Sequence, residues 1–168
     1  MKIVDNFVDQ DKFDELQNLL MGNTFPWFYS NGIDGPDYAE DKNKFQFYHI
    51  FYMDIPNSAH FKFLNPILEI IDPLSLKRIK ANLLTKTSNI IENEFHTDFT
   101  DLPEEKLKQV TTSIFYVNTN NGYTKFEDGT KVESVANRMI TFPSNMKHTG
   151  TSCTDKKYRI IINFNYFK

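Results

Sequence analysis

The sequence predicts a mainly β fold, a jelly-roll or double-stranded barrel core with N-terminal helices packed on one side. Three observations predict it. Apolar residues at helical spacing are confined to the first 75 positions, whereas from residue 76 onward the chain reads as β-rich runs punctuated by Asn, Gly, Asp and Pro. No βαβ alternation occurs, which argues against a parallel sheet with crossover helices. The 16 Phe and 8 Tyr among 168 residues suit an interior lined with rings on pleated strands.

Taken in order, residues 3–8 (IVDNFV) read as a short strand. Phe13, Leu16, Leu19 and Leu20 then recur at helical spacing, with Asp9 or Asp11 available to cap the helix and Gly22 to close it. Residues 23–43 hold two glycines, two prolines and several acids, and read as an irregular segment whose FPWFYS stretch packs on the core. FQFYHIFYM (45–53) is strand-like. Residues 58–72 carry Phe61, Leu64, Leu68 and Ile71 at helical spacing, and Pro66 is expected to kink or restart that helix. LKRIKANLLTKT, EFHTDF, VTTSIFYVN, YTKFEDGTKVES, NRMITFPS and YRIIINFNYF supply the β-rich runs, and 100–109 reads as a charged loop or short helical turn.

Composition narrows the function classes. A formal net charge of −3 and a pI near 5.8 give no electrostatic footprint for nucleic acid or an anionic membrane. Cys153 is the single cysteine, so no internal disulfide marks an oxidising compartment. The acidic start lacks the basic-then-apolar order of a signal peptide, and no apolar run approaches the roughly 20 residues of a membrane span. The expected setting is the cytoplasm, of a cell or of a virus-infected host. No P-loop and no G-x-S-x-G motif is present, and the aromatic stripes read as barrel core, not as a base-stacking platform.

The chemistry concentrates in FHTDF (95–99). On a strand, His96 and Asp98 project from one face while Thr97 faces away. Such a pair can bind a metal, form a polar pair or decorate a wet face. Two later residues bear on the choice: His148, after a strand and turn, and Arg159, at the start of the final run. Alone, His148 reads as a turn residue and Arg159 as a salt-bridge partner. In order on a β-rich chain, His-x-Asp followed by His-x10-Arg supplies two imidazoles and a carboxylate on one face of a metal, which suits non-haem Fe(II) with positions open for a cosubstrate and O2.

With these residues in place, the chain resembles the Fe(II)/2-oxoglutarate-dependent dioxygenases, specifically their prolyl-4-hydroxylase-like branch, over roughly residues 78–168. HTDF is similar to the family's His-x-Asp motif, KHTG to its distal histidine, and YRIIINFNYF to its last core strand. IFYVN (114–118) resembles the strand carrying a tyrosine to the cosubstrate, and NNGYTKFEDG (120–129) resembles a Gly-Gly-x-x-x-Phe turn with Asn121 in the first glycine's place. The short N-terminal form, with VDNF and PWFY, is similar to stand-alone proteins of bacterial viruses.

The resemblance implies a single oxygenase domain over 1–168, with a helical and irregular part (1–75) and a double-stranded β-helix core (76–168). It implies His96, Asp98 and His148 on Fe(II), with Arg159 and Tyr116 holding the far carboxylate of 2-oxoglutarate, O2 as co-oxidant and ascorbate in support. The strand before HTDF lacks the usual tyrosine, leaving Asn82, Leu84 or Lys86 for that place. Asn163 and Asn165 share parity with Arg159 and stand either as contacts to substrate or cosubstrate or as satisfied core amides. A neutral imidazole is the ligating form of histidine, a carboxylate is a hard anionic donor, and a guanidinium fork matches a carboxylate. The implied reaction is hydroxylation of a C–H bond with release of succinate and CO2, a prolyl residue of a peptide or protein being the favoured substrate. A small molecule is an alternative substrate, and neither nucleic acid nor membrane is an expected partner. A non-catalytic cupin-like metal- or ligand-binding module and a nucleic-acid demethylase are the competing readings.

Overall fold

The computed structural model describes residues 1–33, 44–99 and 102–168. A short strand, β1 (Lys2–Val4), leads into helix α1 (Gln10–Met21), which buries Phe13, Leu16 and Leu20 along one stripe. Asp9 occupies the N-cap, but its side chain makes no capping bond. At the other end the Gly22 N–H donates to the Leu19 carbonyl. The chain continues through β2 (Phe28–Ser30), β3 (Gln46–Met53) and β4 (Ile55–Pro56). The helical pattern over 58–72 divides into a 3-10 turn (Phe61–Leu64) and helix α2 (Asn65–Ile71). Pro66 falls in the first turn of α2, where its missing N–H costs no helical bond.

From Ser75 the chain is built of strands: β5 (Ser75–Thr85), β6 (Val110–Tyr116) after the short helix α3 (Glu104–Leu107), β7 (Tyr123–Phe126), β8 (Lys131–Glu133), β9 (Arg138–Pro143), β10 (His148–Gly150) and β11 (Tyr158–Phe167). An eight-stranded antiparallel sheet runs β1-β9-β6-β11-β5-β3-β2, with β4 added beside β3; the second sheet runs β10-β7-β8. This is a mainly β, jelly-roll architecture. The N-terminal 75 residues are less irregular than expected, because β1, β2, β3 and β4 all join the large sheet. Of the segment expected to be irregular, residues 34–43 lie outside the described residues, as do 100 and 101 of the charged stretch.

Parity on β11 partitions the interior. Ile160, Ile162, Phe164 and Tyr166 face a core shared with Phe115, Ile79, Ala81 and the apolar stripes of α1 and α2. Ile161 faces the other way, into a core where Ile114, Tyr116, Ile140 and Phe142 of the large sheet meet Phe126 and Val132 of the small one. Period-two alternation therefore carries Arg159, Asn163 and Asn165 to the space between the sheets. FHTDF is the one strongly read run that forms no strand. His96 makes only an isolated antiparallel bridge with His148, and the chain is otherwise irregular there.

Candidate active site

Between the sheets lies a cavity of about 300 Å³, into which β5 and β11 present a ladder of polar residues. Their register sets Arg159 opposite Leu84, Ile161 opposite Asn82, Asn163 opposite Lys80 and Asn165 opposite Arg78. Directly paired residues share a face. Arg159, Asn163, Asn82, Leu84, Lys80 and Arg78 all line the cavity.

His96, Asp98 and His148 converge on the same cavity. Their candidate ligand atoms all lie within 4.8 Å of one another, and the two imidazole centroids are 5.0 Å apart. The His96–His148 bridge explains the convergence, since each backbone N–H donates to the other's carbonyl at 3.0 Å. In both residues Nδ1 lies near a carbonyl two positions back, Glu94 at 3.1 Å and Met146 at 3.2 Å. A carbonyl only accepts, so Nδ1 carries the proton and Nε2 the lone pair, the tautomer that ligates metal. Burial pushes the His148 imidazole down despite the pull of Asp98, keeping the ring neutral.

Asp98 is held from three directions, with its side chain 3% exposed. Oδ1 accepts from Arg78 Nη2 at 3.0 Å; Oδ2 accepts from Asn165 Nδ2 at 2.7 Å and from Thr112 Oγ1 at 3.0 Å. Arg78 Nε donates to Asn165 Oδ1 at 3.2 Å, and the guanidinium lies 4.9 Å from the Phe99 ring centroid. Burial raises the Asp98 carboxyl, but His148, Arg78, Asn165 and His96 together outweigh it and hold the acid below its ordinary range.

Arg159 is 2% exposed and meets no carboxylate among the described residues. Its Nε donates to Ser134 Oγ at 2.7 Å and its Nη2 to Thr124 Oγ1 at 3.2 Å. Burial pushes the guanidinium down, yet an arginine stays protonated, so a buried cation faces the cavity with hydroxyls and the Tyr116 ring, 5.7 Å away, as its neighbours and no carboxylate among the described residues. The Tyr116 hydroxyl also donates to Thr124 Oγ1, at 2.8 Å. Thr124 thus accepts twice and keeps its own proton for a further acceptor. Gly122 makes room for the arginine, because a Cβ there would sit 2.7 Å from Arg159 Cδ. Asn121, in the first glycine's place, instead clasps Thr154 through both ends of its amide.

The donor set suits a divalent, iron-type ion: three groups on one side, two imidazoles in the ligating tautomer and an ionised carboxylate. The space beside it suits a dianion, since a guanidinium with no carboxylate partner among the described residues is buried in the same cavity. No family model matches this sequence, and no curated protein matches it. Solved structures do match in shape. A prolyl hydroxylase from Trichoplax adhaerens, in complex with a hypoxia inducible factor oxygen degradation domain peptide, aligns with TM-score 0.70 at 14% identity over 99% of this chain and 82% of its own. SnoK, a non-heme alpha ketoglutarate dependent carbocyclase of nogalamycin biosynthesis, aligns with TM-score 0.70 at 11% identity over 99% and 78%. The viral collagen prolyl hydroxylase of Paramecium Bursaria Chlorella virus-1 aligns with TM-score 0.53 at 17% identity over 99% and 95%. The chain has the fold of the 2-oxoglutarate, Fe(II) oxygenases.

On this oxygenase fold the expected residues are placed as follows. His96, Asp98, His148, Arg159, Asn82 and Asn163 all line the cavity; Tyr116 and Asn165 do not. Tyr116 is fully buried, and its hydroxyl donates to Thr124, which does line the cavity. Asn165 turns its amide to Asp98 and Thr112 and is a satisfied core amide. For the place left open before HTDF, Asn82 and Leu84 reach the cavity and Lys86 does not. The Oδ1 atoms of Asn82 and Asn163 are buried without a hydrogen-bond partner among the described residues. Arg78, Thr112, Thr124 and Ser134 were not anticipated. Arg78 shares strand parity with Asn82, but only the β5–β11 register brings it to Asn165 and Asp98.

Proposed function

We propose that this protein is an Fe(II)- and 2-oxoglutarate-dependent oxygenase that hydroxylates a C–H bond. One observation carries the reading: a buried guanidinium with no anionic partner among the described residues, Arg159, shares a cavity with the converging His96, Asp98 and His148. A buried unpaired charge is costly, and a ligand carboxylate removes that cost. His96 and His148 would hold the metal through Nε2 and Asp98 through a carboxylate oxygen. Arg159 would bind the far carboxylate of 2-oxoglutarate, with the free Thr124 proton as a second donor and Tyr116 orienting that threonine. Bound there, iron, cosubstrate and O2 supply the oxidising chemistry, with succinate and CO2 released and one oxygen atom passing to the substrate. The protein's share is placement, charge balance and exclusion of water.

The proposed substrate is a prolyl residue in a peptide or protein, supported by the prolyl hydroxylases among the structural neighbours. SnoK, equally similar in TM-score, supports a small-molecule substrate as the second reading. Incubating the aerobic Fe(II) protein with ascorbate, 2-oxoglutarate and proline-containing peptides tests both levels. Iron-dependent succinate formation supports the oxygenase over an inert cupin-like module, and a peptide product heavier by one oxygen atom supports the prolyl substrate. Succinate without any peptide product redirects the search to small molecules or nucleic acid.

A further inference from the structure

We infer that Arg78 is a positioning residue that opposes the metal at Asp98 and so makes metal binding depend on the cosubstrate. The inference rests on the oxygenase reading and concerns a residue that the sequence did not single out.

The geometry of Asp98 leads to it. A carboxylate offers about four lone-pair directions. Asn165 and Thr112 occupy both of those on Oδ2, at 2.7 and 3.0 Å, and Arg78 Nη2 occupies one on Oδ1 at 3.0 Å. One direction remains, on the oxygen that Arg78 already bonds. An ion bonded there at roughly 2.0–2.2 Å shares its ligand atom with a guanidinium. Arg78 cannot readily withdraw, because Nε is bonded to Asn165 Oδ1 at 3.2 Å and the group sits on the Phe99 ring. Metal and guanidinium thus stand as like charges around one oxygen.

The charge balance completes the argument. Among the described residues Asp98 is the one carboxylate that lines the cavity, and Arg78 bonds it directly while Arg159 lines the same space. The charge of Asp98 is already offset by Arg78, so a divalent cation arriving alone meets no net negative charge from this pair. A cosubstrate bringing two carboxylates would reverse this, one meeting Arg159 and the other adding negative charge at the metal. Metal and 2-oxoglutarate therefore strengthen each other's binding by more than direct chelation, and by linkage the effect is reciprocal.

Mn(II) serves as the probe, titrated into the metal-free full-length protein with and without 2-oxoglutarate and followed by the electron paramagnetic resonance of the free ion. Arg78→Gln keeps a donor to Asp98 but removes the charge; Arg78→Lys keeps the charge but loses the fork. The expected result is that Arg78→Gln binds Mn(II) alone about tenfold more tightly than wild type and gains correspondingly less from 2-oxoglutarate, within the usual range of coupling between sites. Arg78→Lys is expected to retain the wild-type coupling. If Arg78 merely orients Asp98, Arg78→Gln binds Mn(II) alone no more tightly than wild type, and the inference is overturned. Should Arg78→Gln not fold, Arg78→Lys decides by itself: loss of wild-type coupling there overturns the inference, and its retention supports the charge as the cause. Wild-type protein that binds no Mn(II), or gains nothing from 2-oxoglutarate, would instead count against the oxygenase reading itself.

Discussion

At the scale of single residues, Arg159 is the side chain whose place was most legible. Its place at the head of an alternating run sets its parity, and the resemblance to the oxygenases, not the spacing, supplies its proposed carboxylate partner. Truncating one partner of a buried charge pair costs about 2–5 kcal/mol, so Arg159→Leu is expected to weaken 2-oxoglutarate binding at least ~30-fold. Arg159→Lys should fall between wild type and Leu, because it keeps the charge without the fork. Calorimetric titration of 2-oxoglutarate into the Mn(II) protein measures both, and wild-type affinity in Arg159→Leu would move the anchor elsewhere. Tyr116 and Thr124 separate by the same measurement. Thr124→Val removes a donor to a charged group, worth ~1.5–3 kcal/mol, whereas Tyr116→Phe removes a neutral bond one step away, worth ~0.5–1.5 kcal/mol. Equal losses, or a larger one for Tyr116→Phe, would put the tyrosine in direct contact after all. Thr124, Ser134, Thr112 and Arg78 escaped the sequence because hydroxyls and basic residues are common on strands, and only cross-strand register distinguishes these four.

At the scale of elements, periodicity revealed α1, the restart of α2 at Pro66 and the two-faced β11, since each rests on local spacing. It misjudged FHTDF, where the ladder contracts to the one bridge between His96 and His148 and the segment bends to bring His96 and Asp98 together. It also could not show how the N-terminal segment locks onto the barrel. Asn137, at φ 60°, accepts from the Val8 N–H at 3.1 Å and donates to the Val8 carbonyl at 2.8 Å. Asn137→Ala strands both groups, at about 1–3 kcal/mol each, and is expected to lower the urea midpoint without abolishing folding. An unchanged midpoint would show that β1 and α1 hold without this clasp. On β3, burial pushes the His49 imidazole below its ordinary 6.5; the bond to Pro26 works against this and His60 works with it. With a depressed folded value, the unfolded chain takes up the proton first. The contribution of His49 is therefore complete above 6.5 and is lost as pH falls below it. His148 acts in the same sense. Replacing His49 with Gln should flatten, though not remove, the fall in melting temperature below that pH, and an unaltered slope would absolve His49.

For the whole molecule, the jelly-roll was legible because seven of the described strands are gathered from Ser75 onward and because alternation survives in the long runs. Strand order was not legible, since β1 and β3 reach the large sheet from the far end of the chain, and local patterns carry no information about such partners. The sheet that builds the core aims Arg78 and Arg159 into the cavity that Asp98 enters from an irregular segment, and the central claim is that this cavity holds Fe(II) and 2-oxoglutarate together. The most direct test is to titrate 2-oxoglutarate into the anaerobic Fe(II) protein while following the visible metal-to-ligand absorption that arises only when the keto acid chelates the iron. The predicted result is a saturable band at one equivalent, absent in Asp98→Ala and shifted to higher 2-oxoglutarate concentration in Arg159→Leu. Folded wild-type protein that develops no band, or Asp98→Ala protein that develops the wild-type band, would contradict the account.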